Sequence, residues 1–126
     1  MQDEPTPTEL TRAVADFLRN DIAPMISGHN AFKLRVAINA LELVVRQLTL
    51  GQGSDVAEAE RLAKLLDVEG SLLEQNRALA EMIAEGEVDL NTPGLPEHLW
   101  QTTMAKLAVD QPNYASYKRE LGWERK

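Results

Sequence analysis

Residues 32–51 read FKLRVAINALELVVRQLTLG, and their periodicity decides the fold class. At 100° per residue, Arg35, Asn39, Glu42, Arg46 and Thr49 fall within an arc of about 80°. Leu34, Val36, Ile38, Leu41, Leu43, Val44, Val45 and Leu48 fill most of the remaining circumference. A surface helix ordinarily carries a wider polar face. The pattern predicts the central helix of a bundle, with its broad apolar face buried and a narrow polar stripe facing water, an internal network or a partner.

Outward from this stretch, the chain reads as further helices. Thr6, Pro7 and Glu9 form a capping box with proline at the first helical position. Leu10, Ala13, Val14, Phe17, Leu18 and Ile22 then follow at helical spacing until Pro24, which blocks a continuing turn. Gly51 to Gly53 reads as a short turn after the central helix. Asp55 and Glu58 read as the cap of a third helix, with Leu62, Leu65 and Leu66 on its apolar face. Ser71 and Glu74 cap a fourth, which Gly86 closes. A fifth begins near Pro96 and ends before Pro112. No run alternates convincingly between apolar and polar residues, so no sheet is expected. The prediction is an all-α protein: an up-and-down bundle of about five helices with a long central helix near 31–50. A chain of 126 residues reads as one domain, 1–126, with 1–5 and 118–126 as flexible or docking ends.

Composition narrows the chemistry. There are no cysteines, which removes disulfides, zinc ribbons and thiol nucleophiles together and fits a cytoplasmic location. The net charge of −7 argues against nucleic acid. It is uneven: Gly51 to Thr92 holds ten acids and three bases, whereas Ala31 to Leu50 is net +2. The most apolar window contains Arg35, Asn39, Glu42 and Arg46, too much polarity for a membrane crossing. His29 and His98 are far apart and no carboxylate spacing supports a metal site, so both read as loop or helix-start residues. No nucleophile elbow, phosphate loop or distinguishable carboxylate pair is present, and neither catalytic residues nor a cofactor are expected.

The candidate binding residues lie on the stripe. Asparagine is a poor mid-helix residue, because its amide competes for backbone hydrogen bonds. Asn39 lies between Arg35 and Arg46 on one face, and guanidinium forks suit carboxylate or phosphate. Glu42 and Arg46 are a favourable i, i+4 pair. Asn76, among apolar positions of the fourth helix, is a candidate internal mate for the stripe. Tyr114, Tyr117 and Trp123 hold half the aromatic residues of the chain, interspersed with Lys118, Arg119, Arg125 and Lys126. They read either as a tail docked on its own bundle or as an arm for a partner or a second copy.

The run Arg35-Val36-Ala37-Ile38-Asn39-Ala40-Leu41, continuing to Val44, Arg46 and Leu48, resembles a small bacterial family, domain of unknown function 6285. Pro5 to Leu10, Leu79 to Leu90 with Gly86, and Leu107-Ala108-Val109-Asp110-Gln111-Pro112-Asn113-Tyr114 extend the resemblance. The family usually has asparagine before that proline and arginine where this chain has Asn113. Its members occur beside, or fused behind, kinases resembling aminoglycoside phosphotransferases, often near acyl-CoA dehydrogenases. The resemblance implies a non-catalytic accessory protein for such a kinase, acting on hydroxyacyl-CoA-type substrates, with Arg35, Asn39, Glu42, Arg46, Asn76 and Tyr114 as partner- or ligand-binding residues. The alternative is a self-associating helical module, a homo-oligomer with no small-molecule ligand.

Overall fold

The computed structural model describes residues 4–124 and contains α helices α1 (Pro7–Phe17), α2 (His29–Leu65), α3 (Leu72–Ala84), α4 (Leu95–Asp110) and α5 (Ala115–Glu124). No strand occurs among the described residues. The all-α class and the long central helix are as the sequence leads one to expect. The residues group into two compact units that part after Gly51, and α2 contributes to both.

Local chemistry accounts for the helix ends. Thr6 caps α1 by accepting from the Glu9 amide at 3.2 Å, with Pro7 at the first position. Pro24 has no N–H to give to the carbonyl of residue 20. The chain leaves α1 through a widened π turn at Leu18–Ile22, followed by a 3-10 turn at Ala23–Met25. Ser71 and Glu74 make both arms of a capping box on α3. At its other end Gly86 takes a φ of +77°, the left-handed region open to glycine. There the Glu87 amide donates to the Met82 carbonyl and the Gly86 amide to the Ile83 carbonyl, closing the helix with two of its orphan acceptors satisfied.

The expected turn at Gly51–Gly53 is absent. The helices read as second and third are the single α2 of 37 residues. Neither glycine has a positive φ, and no proline intervenes. A mid-helix glycine costs about 1 kcal/mol, whereas stopping and restarting a helix incurs a new nucleation penalty. Asp55 and Glu58 are therefore interior helix residues rather than a cap. The chain after Tyr114, read as a tail, forms α5 up to Glu124. The side chain of Trp123, and the ends at residues 1–3 and 125–126, lie outside what the structure describes.

The second unit holds a conventional core. Leu62 and Leu66 of α2, Leu79 of α3 and Leu95 of α4 are buried together, bordered by Leu65, Leu72, Ala78, Met82 and Val88. The first unit is different. Ala15 and Ile38 are its buried apolar side chains among the described residues. The broad apolar face of α2, expected to be buried, is largely exposed: Phe32, Val36, Leu43, Val44, Leu48 and Leu50 are open to solvent. The expectation fails because α1 packs along the edge of that helix where Ile38 and the polar stripe lie, leaving the opposite face bare.

Candidate functional site

In the first unit α1 and α2 run antiparallel. Arg12, early in α1, lines the same cleft as Val45 and Arg46, whereas Ala23 lies with Ala31. Two clefts result. One, of about 270 Å³, is lined by Arg19, Ala23, Ala31, Arg35, Ile38 and Asn39. The other, of about 260 Å³, is lined by Arg12, Ala15, Asp16, Arg19, Glu42, Val45 and Arg46.

Arg19 belongs to both clefts. It sits on the widened turn after α1, and its guanidinium forms an ion pair with Glu42. A second nitrogen lies 3.8 Å from the carboxylate of Asp16. The pair stands where the two clefts meet. A wider-than-α turn re-aims side chains relative to a regular helix, and such turns recur at functional positions. Here it gives the stripe the partner that the sequence leaves unidentified.

The linings carry four guanidinium groups (Arg12, Arg19, Arg35, Arg46) and two carboxylates (Asp16, Glu42). This is a net-positive strip in a chain of net charge −7. The first cleft has an apolar floor of Ala23, Ala31 and Ile38, with exposed Arg35 and Asn39 at its edge. Such an edge suits a carboxylate or phosphate carried on an apolar or helical body. Among the described residues, no three His, Cys, Asp or Glu side chains lie together as a metal site would need.

Of the sequence-predicted residues, the structure brings Arg35, Asn39, Glu42 and Arg46 to this strip. Asn76 does not join them: its amide donates to Glu58 Oε2 at 3.2 Å and to the Leu72 carbonyl at 3.0 Å, within the second unit. The mate of the stripe within the chain is instead Arg19, a partly exposed side chain. Tyr114 is exposed, and its carbonyl accepts from the Lys118 amide in the first turn of α5.

His98, read as a loop or helix-start residue, is buried near the start of α4. Its Nδ1 accepts from Arg61 Nε at 3.1 Å, and the same guanidinium donates to Thr102 Oγ1 at 3.1 Å. Burial, and then the charge of Arg61, hold the imidazole below its usual pKa, with Glu58 opposing. An Nδ1 that accepts requires the neutral ring with its proton on Nε2. The Arg61–His98–Thr102 and Glu58–Asn76 contacts tie α2 to α4 and α3. Arg61 and His98 are 37 positions apart, and nothing in the sequence links them.

Residues 24–114 match the family model described as Domain of unknown function (DUF6285). The chain belongs to this family. The matched span contains Arg35, Asn39, Glu42 and Arg46, and stops short of Arg12 and Arg19, which complete the clefts from α1 and the turn after it. Neither the curated proteins nor the solved structures contain a match to the chain.

Proposed function

We propose that this DUF6285 protein is a non-catalytic accessory protein of the bacterial cytoplasm. It binds a kinase resembling aminoglycoside phosphotransferases and supports its action on hydroxyacyl-CoA-type substrates. The observation that carries this reading is the pair of arginine-lined clefts meeting at Arg19–Glu42. Guanidinium forks suit the carboxylates of an acidic helix on the kinase, or a phosphate presented at its acyl-CoA site. Arg35, Asn39 and Arg46 make the contacts, and Arg19 with Glu42 holds them in place. The choice of kinase rests on the genomic company that the resemblance implies. No helix among the described residues is long and apolar enough to cross a membrane.

Co-purification of the protein with the kinase encoded beside it, together with kinase turnover measured with and without it, tests the reading. Association together with a rise in turnover on hydroxyacyl-CoA substrates supports it. No association and unchanged turnover refute it. Turnover of a phosphate or acyl-CoA substrate by this protein alone would refute the non-catalytic part.

A further inference from the structure

We infer that the bare face of α2 in the first unit is the seat of a second copy of this chain, paired antiparallel about a two-fold axis near Ala40. At 100° per residue, Phe32, Val36, Leu43, Val44, Leu48 and Leu50 lie on one arc of about 160°, and all six are exposed. Ala37 and Ala40 fill the arc between them, and Lys33 and Gln47 are its polar members. On α1, Leu10, Val14 and Phe17 are exposed as well, but on the side turned away from Arg12, Ala15 and Asp16, which face α2, and so outside this face.

These six apolar side chains of α2, each roughly half exposed, present on the order of 500 Å² of surface on one helix face, at the upper end of the roughly 300–600 Å² of the largest patch on a typical monomer. A two-helix unit with two buried apolar side chains has little core of its own. Pairing two copies through this face buries it between two α2 helices, with each α1 on the outer side, and so adds apolar burial to the unit.

The pattern of the arc selects a copy of itself as that partner. Ala40 lies at the middle of the arc both in sequence and in angle. An antiparallel mate centred there sets Phe32 at the level of Leu48, Val36 at the level of Val44, Ala37 at the level of Leu43 and Ala40 at the level of Ala40. Lys33 then falls at the level of Gln47. Apart from Leu50, which falls at the level of Asn30, apolar residues meet apolar ones, no like charges oppose each other, and alanine at the crossing lets the two backbones approach. A parallel mate would instead oppose Lys33 to Lys33. This is the self-complementarity that a two-fold interface demands. An acidic or basic partner would find Lys33 as the one charge on the arc.

The chain has no cysteine, so a single Ala40→Cys gives a clean probe of the axis. Light scattering is expected to return twice the 14.0 kDa chain mass. Mild oxidation is expected to link Ala40→Cys chains in pairs and to leave Leu90→Cys chains, altered in the second unit, unlinked. Leu43→Glu is expected to weaken dimerisation by about 100-fold, a charge being forced into an apolar seam. A mass of 14.0 kDa at every concentration overturns the inference. So does a dimer that Ala40→Cys fails to link, or one that Leu43→Glu leaves as tight as wild type. A chain that is monomeric alone, yet loses the kinase on Leu43→Glu, assigns the face to the kinase and likewise overturns it.

Discussion

Arg19, on the π turn that follows α1, and Glu42, on the polar stripe of α2, form the ion pair at which two arginine-lined clefts meet. The two residues are brought together where the chain leaves α1 through the widened turn that precedes Pro24. Both side chains are partly exposed, so solvent screening keeps the pair modest. A double-mutant cycle on Arg19→Ala and Glu42→Ala, read by urea unfolding, should give a coupling energy of about 0.5 kcal/mol, falling in high salt. A coupling indistinguishable from zero at low salt would remove the pair from the account of the clefts.

The continuity of α2 is tested at its glycines. At Gly53 a Cβ would meet open space, and φ there is not positive. Gly53→Ala should therefore stabilise the protein by about 0.5–1 kcal/mol, as alanine does in a helix interior. At Gly86, with φ of +77°, the same change should destabilise it by about 1 kcal/mol or slightly more. Thermal or urea unfolding separates the two signs. Destabilisation by Gly53→Ala would mean that the segment turns.

These glycines also mark how far the sequence could be read. Gly51, Gly53 and Gly86 look alike in one dimension. What separates them is the sign of φ, which depends on whether the flanking segments continue one another. The stripe itself was legible, because helical periodicity places Arg35, Asn39, Glu42 and Arg46 together whatever surrounds them. Its partner on the turn after α1 was not, because Arg19 is 23 positions from Glu42 and its placement depends on a π turn that no residue type announces. The exposure of the broad α2 face is not legible in the sequence for a related reason. Periodicity says that a face is apolar and does not say what covers it. The role of His98 is not legible either, because it rests on Arg61, a contact across helices.

The core of the second unit should respond as a packed interior does. Leu62 is fully buried against Leu66, Leu79 and Leu95. Leu62→Ala should lose about 2–5 kcal/mol by chemical unfolding. A loss below 1 kcal/mol would show that this cluster does not carry the stability of the unit.

His98 gives the protein a pH dependence of defined sign. The folded state holds its imidazole neutral at pH values where the unfolded chain has begun to take up a proton. The unfolded state thus binds more protons below about pH 6.5, and stability should fall as pH drops through that point. His98→Gln should flatten this limb of the stability profile while carboxylate titration at lower pH persists. An unchanged slope in the variant would contradict the assignment.

The central claim, that the arginine-bearing stripe serves a kinase partner, is tested most directly by titrating a kinase of the proposed phosphotransferase-like class with wild type and with an Arg35→Glu, Asn39→Ala variant, following binding by calorimetry. Both residues are exposed, so the variant should keep its helical signal and melting temperature while its affinity for the kinase falls by at least about 10-fold, or about 1.4 kcal/mol. A folded variant that binds the kinase as tightly as wild type, or a wild-type protein that does not bind it at all, would contradict the claim.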